Sequence, residues 1–330
     1  VALVDERDWP AALAASVFAS APLGAPLLYA DGDTLPGVSE AALRAMRPLG
    51  ASTLGGAQVI EIGSAPALPD HQTSRALGGG DPAALAAAVL RLAGVVDGRP
   101  AKDVLVVASD APRALQMPAA ALAAETGAPI LFVTSSAVPA PTSAALATLH
   151  HPTIYVVAPK TLRASAYAQL SRLGTVVHIS GTVAAGEASG SEAGSGESLD
   201  PVQNAISVSR FSRGSFGWGI HEAGHGLVFV NPARALDGPA AAPLAAHGDY
   251  GPLLLLADAA SVPTALTRYL SDIEPGYTAA APPVREVYNH GWLIGDERAI
   301  SAHAQAELDA LLEIAPRQPS AGEGSVAQAE

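Results

Sequence analysis

The chain of 330 residues has a formal net charge of −13, 49% hydrophobic residues, 5% aromatic residues and no cysteine. The lack of cysteine excludes disulfides and thiolate metal sites. The acidic balance argues against binding to nucleic acid or to an anionic membrane surface, because both require clustered Lys and Arg. No apolar run has the length of a transmembrane helix. A globular protein with an aliphatic core and several modules is therefore expected.

The first module is assigned to residues 1–72 and opens on a short apolar strand. An Ala-rich helix follows, then the segment 24–31 (GAPLLYAD) and a Leu-Pro step at Pro36. Related segments recur at 127–134 (GAPILFVT) and 250–257 (YGPLLLLA). One pattern that recurs at intervals of roughly 100–120 residues indicates three copies of one supersecondary unit.

The second module, residues 73–181, shows the order of elements most clearly. The predicted elements are a strand at 103–108, a helix at 118–125, a strand after Pro129, a helix at 141–149, a strand at 153–158, a helix at 161–172 and a strand at 175–180. Continuously apolar strands that alternate with helices indicate a parallel sheet covered on both faces. The expected fold class is α/β, with one such sheet in each module.

A linking helix is predicted ahead of the second and third modules. Asp81-Pro82 and Asp200-Pro201 each place a capping carboxylate directly before a proline in the first helical turn. The first module has no such helix ahead of it and is therefore expected to be N-terminally clipped. A signal peptide, an anchor or the missing helix would then precede Val1.

Two segments have a composition that cannot form a core. Residues 182–199 consist almost entirely of Gly, Ala, Ser and Glu and are expected to form a flexible low-complexity loop. Residues 318–330 have a similar composition and are expected to be a disordered tail. The third module is assigned to residues 200–317, between these two segments.

Several short motifs carry a resemblance to a known family. They are Asp8-Trp-Pro-Ala-Ala-Leu and Gly63 in the first repeat, Pro118–Ala124, Gly127-Ala-Pro129 and Pro159 in the second, with Leu115 at the acidic position, and Asp237-Gly-Pro-Ala-Ala-Ala-Pro243 and Gly295 in the third. On these motifs the chain resembles the cell wall-binding repeat 2 family of Gram-positive and actinobacterial surface proteins.

This resemblance implies both an architecture and a function. The architecture is three Rossmann-like modules packed around a pseudo-threefold axis. The function is noncatalytic attachment, outside the cell, to a cell-wall polysaccharide or secondary wall polymer, with surface-array neighbours or a homo-oligomer as further partners. A second hypothesis is a structural subunit of a surface layer or filament that binds no polysaccharide.

The net charge conflicts with an anionic ligand, because like charges repel and screening acts only beyond about 8 Å at physiological salt. Either basic residues gather on one face, or calcium bridges protein and polymer, or the ligand is another protein. No other cofactor is expected. The basic residues considered for such a face are Arg44, Arg47, Arg163, Arg172, Arg210 and Arg213.

Candidate ligand-binding residues follow the first strand of each repeat. Open parallel sheets bind ligands beyond the carboxyl ends of their strands, so polar residues in these loops are the natural candidates. Helix capping is the alternative role for the aspartates. The candidates are Asp5, Asp8, Ser109, Asp110, Asn231 and Asp237.

The segment His221–His225 matches the His-Glu-x-x-His signature of zinc metallopeptidases. On a helix, His221 and His225 would share one face and bind zinc, with Glu222 as general base. Glycines crowd this segment and a strand follows at once, so a polar loop between modules is expected instead. A third zinc ligand would have to come from His247, Asp249 or His290.

Two further features have both a functional and a structural interpretation. Residues 78–81 (Gly-Gly-Gly-Asp) could cradle a phosphate, but they lack the dinucleotide-binding spacing and fit a flexible connection. Trp218, near Phe211 and Phe216, and Trp292, beside His290, could be sugar platforms or could pack between modules.

Overall fold

The computed structural model describes residues 1–63, 66–180, 198–247, 250–278, 282–283 and 287–316. The strands are β1 Ala2–Asp5, β2 Leu27–Ala30, β3 Val59–Ile62, β4 Ser74–Leu77, β5 Asp103–Ala108, β6 Ile130–Val133, β7 Thr153–Val156, β8 Thr175–His178, β9 Gly226–Val230, β10 Tyr250–Leu255, β11 Gly276–Tyr277, β12 His290–Leu293 and β13 Ala315–Pro316. The α-helices are α1 Trp9–Ala15, α2 Gly37–Met46, α3 Pro82–Asp97, α4 Arg113–Gln116, α5 Pro118–Thr126, α6 Ala140–Ala147, α7 Ala164–Leu170, α8 Pro201–Arg210, α9 Asp237–Ala241, α10 Thr264–Asp272 and α11 Ala302–Leu312.

Each predicted module contains a parallel sheet, which confirms the Rossmann-like α/β prediction. The strand orders are β2-β1-β3-β4, β6-β5-β7-β8 and β10-β9-β12, and β11 pairs with β13 in a separate parallel ribbon. Strand β4 lies just beyond the expected end of the first module at residue 72, yet it pairs with β3. The predicted loop lies outside the described residues except at positions 198–199, and the predicted tail lies outside them entirely.

Three helices begin where an aspartate precedes a proline-containing first turn. The side chains of Asp8, Asp81 and Asp200 accept hydrogen bonds from the third following backbone N–H, at 3.0, 2.8 and 2.9 Å. These bonds satisfy amide groups that a helix end otherwise leaves without a partner. The predicted starts of the linking helices α3 and α8 are therefore confirmed.

Helices α1, α5 and α9, which come between the first two strands of the three sheets, lie against one another. Helix α5 contacts α1 and α9, and α1 also contacts α9. All residues from Pro118 to Ala124 in α5 are buried, and five of the seven are alanines. A helix surrounded on all sides by other elements needs small side chains for close approach. The alanine content of the sequence is thus concentrated where the modules meet, in a core that runs through all three.

The linking helices pack across module boundaries. Helix α3 lies between α1 of the first module and β6 and α6 of the second. Helix α8 contacts β10 and α10 of the third module together with α4 and α5 of the second. Each linking helix thereby covers the edge strand of the module that follows it.

A left-handed backbone position follows β3, β7 and β12 within two residues. Gly63 has φ +79° and Gly295 has φ +115°. In the second module this conformation falls on Ala158, with φ +51°, while Pro159 begins a 3-10 helix that runs to Thr161. The expectation that Pro159 replaces the strand-end glycine was therefore wrong by one residue. That 3-10 helix also delays the start of α7 beyond the predicted position.

Candidate functional site

The carboxyl ends of the β1, β5 and β9 strands converge on one surface, here called the carboxyl-end face. It comprises the loops 5–9, 109–117 and 231–238. Contacts join the three modules in all three pairings, two of them between these loops and one from Tyr29 of strand β2 to the third loop. Trp9 Nε1 donates to Gln116 Oε1 at 3.1 Å, Tyr29 Oη donates to Leu236 O at 2.6 Å, and Gly238 packs against Met117.

Burial raises the pKa of Tyr29, and the nearby negative charge of Asp237 acts in the same direction. Tyr29 belongs to the first module and Asp237 to the third, so this electrostatic effect also links the two modules. The neutral phenol keeps its proton and can donate the bond to the Leu236 carbonyl.

In the first module, Asp5 is held by Arg7. The Asp5 carboxylate accepts from Arg7 Nε at 2.9 Å and from Arg7 Nη2 at 2.8 Å, in a bidentate pair. The hydrogen bonds from the Arg7 side chain lower the pKa of Asp5, so it remains an anion. Asp31, at the end of β2, lies 3.9 Å from the same guanidinium.

Asp8 has a structural role in this arrangement. One carboxylate oxygen caps α1 through the amide of Ala11. The other lies close to Gly63, where an added Cβ would be 3.4 Å from it. The alternative role that the sequence left open for Asp8, helix capping, is thus what the structure shows.

In the second module, Asp110 binds the loop that follows β6. Its two oxygens accept from the amide of Ser135 at 2.8 Å and from the Ser135 hydroxyl at 2.7 Å. Burial alone would raise the pKa of Asp110, but the Ser135 bonds outweigh it and the pKa is lowered. Ser109 points back to the sheet, since its hydroxyl donates to Val133 O at 3.0 Å.

In the third module, Asn231 is buried and structural. Its amide donates to Ala299 O at 2.9 Å, and its side-chain oxygen accepts from the amide of Ala233 at 2.9 Å. Asp237 caps no helix, because its carboxylate accepts from Arg234 Nε at 2.9 Å instead. The predicted aspartates of the first and third repeats therefore share a sequence motif but differ in role.

Sequence reasoning missed three arginines on this face. Arg7, Arg113 and Arg234 are all exposed, one in each first βα loop. Arg113 lies over the ring of buried Trp9, with its guanidinium carbon 5.9 Å from the ring centroid. A signal was present, because residues 113–118 (RALQMP) and 234–239 (RALDGP) match in register.

That register also corrects the assignment of the acidic position in the second repeat. Counted back from the helix proline, Gln116 and not Leu115 aligns with Asp8 and Asp237. Gln116 keeps the acceptor function of this position, since its oxygen accepts from Trp9 while its amide donates to Ala111 O at 2.7 Å.

Of the arginines first considered for a basic face, two are held in ion pairs away from the carboxyl-end face. Arg44 pairs with Glu40 within α2 at 2.9 Å. Arg210 pairs with Asp272 at 2.5 Å, between α8 and α10. The backbone amide of Arg163 donates to Ser135 O at 2.7 Å, so Arg163 lies beside the loop that Asp110 binds.

The segment His221–His225 is irregular rather than helical, so the shared face that the peptidase hypothesis requires is not formed. Asn289 Oδ1 accepts from the amides of Gly224 and His225 at 2.9 and 3.2 Å and fixes the loop. Burial lowers the pKa of His225, opposed by the charge of Glu222.

Within the described part of the chain, no group of three His, Asp or Glu side chains is placed to hold a metal ion. Of the third-ligand candidates, His247 ends the 3-10 helix Ala242–His247, Asp249 lies outside the described residues, and the amide of His290 donates to His225 O at 2.9 Å.

Of the remaining sequence features, Trp218 packs against Gly251 of β10, and its Nε1 is buried without a hydrogen-bond partner among the described residues. Asp81 caps α3, so a carboxylate already occupies the helix start where a phosphate would bind beside the glycine turn. Phe216 stacks on Tyr155 of β7 at 3.7 Å between centroids, which places this aromatic pair at the junction of the second and third modules. Trp292 lies 4.5 Å from Tyr250 on the third sheet.

Comparisons with known proteins bear on the fold. No protein-family model and no curated protein matches the sequence. Two solved structures of cell wall proteins from Clostridium difficile are similar. Cwp6 superposes with a TM-score of 0.66 at 18% identity over 92% of this chain and 43% of its own, and Cwp8 with 0.64 at 17% identity over 94% and 47%.

The chain therefore spans less than half the length of either structure that it resembles. At these identities the likeness establishes a shared fold. Across the described residues, no helix is both long enough and apolar enough to cross a bilayer.

Proposed function

We propose that this chain is a noncatalytic protein of the cell surface that binds a cell-wall polymer at the carboxyl-end face. The observation that carries the proposal is the convergence of three first βα loops, one from each module, on one composite surface. Ligands of open parallel sheets bind at this end of the strands. The fold shared with two cell wall proteins supports a location at the cell surface.

The chemistry of the face suits a polymer with hydroxyl and acidic groups. The Arg7–Asp5 and Arg234–Asp237 pairs place donors beside acceptors, which is the combination that a sugar hydroxyl uses. Arg113 has no carboxylate partner among the described residues and can bind an anionic group of the polymer.

Calcium remains part of the proposal because the face carries more carboxylates than arginines. Asp31 and Asp296 each lie near an arginine that already has another carboxylate partner, at 3.9 and 3.8 Å. A divalent ion between these carboxylates and the polymer would remove the like-charge repulsion.

The experiment that tests this function is co-sedimentation of the purified protein with bacterial sacculi. Sacculi are compared before and after acid extraction of their secondary polymers, with calcium and with a chelator. We expect binding that extraction abolishes and that the chelator weakens. Binding that survives extraction would contradict a secondary-polymer ligand.

Failure to bind under any condition would contradict the whole proposal. Concentration-dependent assembly would then favour a subunit of a surface layer or filament. Stoichiometric zinc that is lost in His221→Ala would revive the peptidase hypothesis.

A further inference from the structure

Four rings, here called the aromatic row, lie together at the amino end of the third sheet. Tyr288, His290 and Trp292 occupy alternate positions in β12 and in the segment that leads into it. The His290 and Trp292 ring centroids are 6.4 Å apart, close to the step of about 7 Å that two residues make along a strand. Tyr250 of β10 completes the row, because its ring centroid lies 4.5 Å from that of Trp292. In a chain with 5% aromatic residues, the row is a local concentration of rings.

The row faces outward because the residues between its members face inward. Asn289 is buried, and its amide donates to Ile273 O at 2.8 Å. At Gly291 an added Cβ would lie 2.7 Å from Leu312, so this position packs against α11. The three ring residues of the alternating segment are exposed or partly exposed, and Tyr288 is 41% exposed. The alternation of side chains along an extended segment therefore displays the rings on one side.

The polar atoms of the row are available to a ligand. Among the described residues, Trp292 Nε1, Tyr250 Oη and the His290 imidazole have no hydrogen-bond partner. By contrast, Trp9 Nε1 and Tyr29 Oη each donate to a protein oxygen. Indole and phenol groups usually find a partner within the protein when they are buried. Partly exposed rings without such partners can bond to an external molecule.

A packing role between modules belongs to a different set of rings. Tyr155 of β7 stacks on Phe216, and these two residues are only 4% and 7% exposed. The described ring contacts of Trp292 are with Tyr250 and His290 of its own module. Of the two interpretations that the sequence allows for Trp292, the platform for a sugar thus agrees better with its surroundings.

We propose that the aromatic row binds an extended, uncharged segment of a polysaccharide. A sugar has an apolar face that can stack on an aromatic ring, and hydroxyl groups that can bond to the unpartnered indole, phenol and imidazole. Rings at regular intervals along a strand suit the successive sugars of an extended chain. The net charge of −13 disfavours single-stranded nucleic acids, the other polymers that stack on rows of rings.

The aromatic row is separate from the carboxyl-end face. His290 pairs with Gly226, the first residue of β9, whereas the loop 231–238 follows Val230, the last residue of that strand. Five strand residues span about 16 Å. The inference therefore goes beyond the proposed function and does not rest on it.

The test is calorimetric titration of four neutral oligosaccharides into the intact protein: chitohexaose, cellohexaose, xylohexaose and maltohexaose. We expect saturable binding of at least one of them. Trp292→Ala should weaken that binding about tenfold or more, because a ring that stacks on the ligand is lost. Trp292→Phe keeps a ring and removes only the indole N–H, so it should weaken binding less.

A second variant and two controls make the result specific to the row. Tyr288→Ala removes an exposed ring and should weaken binding about threefold, with an unchanged circular dichroism spectrum. Tyr167→Ala is the matched control, because Tyr167 lies 4.7 Å from the His178 ring in the second module and its hydroxyl already donates to Pro159 O. Tyr167→Ala and Arg113→Gln should both bind the sugar as the wild type does.

No binding of any of the four sugars, or wild-type affinity in either Trp292→Ala or Tyr288→Ala, would overturn the proposal. Two other occupants would also overturn it. Co-sedimentation with phosphatidylcholine vesicles that Trp292→Ala abolishes would indicate a bilayer surface, and dimers that Trp292→Ala dissociates would indicate a second copy. We expect neither. Failure of the sacculus experiment would leave the oligosaccharide result standing, because these sugars carry no anionic group.

Discussion

The first and second modules share a strand order and a helix pattern, yet the edges of their sheets differ in burial. Edge strand β6 is buried at every position beneath α3, whereas Leu28 and Tyr29 of β2 remain partly exposed. In the second module this edge is covered by α3, the helix that precedes β5 in the chain. A linking helix is therefore best regarded as part of the module that follows it in the chain.

The largest effect is expected at Leu149, which follows Pro139 in the second module at the same spacing as Met46 follows Pro36 in the first. Leu149→Ala should destabilise the protein by about 2–5 kcal/mol, because it leaves a cavity beneath α3. Met46→Ala at the equivalent position should cost less than about 1 kcal/mol, since Met46 is already half exposed. Chemical denaturation of both variants measures the pair. Equal losses would show that the two edges are buried alike in solution.

A smaller effect is expected from the comparison of Asp81, which caps a linking helix, with Asp237 of the third module, which caps no helix. Asp81→Ala should cost about 1 kcal/mol, because an amide in the first turn of α3 loses its acceptor. Asp237→Ala should cost about 0–1 kcal/mol, because it removes only a partly exposed pair with Arg234. Thermal melts of the two variants provide the measurement. A larger loss in Asp237→Ala would show that Asp237 caps a helix after all.

The smallest effect concerns the pH dependence of the second module. The pKa of Asp110 is lower in the folded state than its ordinary value near 4, so the unfolded chain binds the proton more tightly. Its contribution to stability is present above that value and is lost as the pH falls through the folded pKa. Asp110→Asn should therefore flatten the stability profile between about pH 5 and pH 2. An unchanged profile would mean that the Ser135 bonds do not depend on the charge.

The sequence determines the local elements well. The Asp-Pro starts of α3 and α8 are visible because capping depends only on residues within one turn. The buried strands are visible because each is a continuous apolar run. These signals were sufficient to predict three parallel sheets and their order along the chain.

The candidate site was only partly predictable because it depends on contacts between distant segments. Asp8 and Asp237 each stand two residues before the proline of a helix, yet Asp8 caps α1 while Asp237 pairs with Arg234. Trp9 and Gln116 meet only because the alanine-rich helices α1 and α5 pack closely. Arg7, Arg113 and Arg234 can be recognised as neighbours on one face only when that packing is known.

The most direct test of the account is calorimetric titration of purified wall polymer into Arg113→Gln and into a matched control, Arg268→Gln. Arg113 lies on the carboxyl-end face and has no carboxylate partner in the described part of the chain, whereas Arg268 is exposed on the outer helix α10. The account predicts affinity reduced about tenfold in Arg113→Gln, the loss of one charged hydrogen bond, and wild-type affinity in Arg268→Gln. Equal affinity in the two variants would contradict binding at this face.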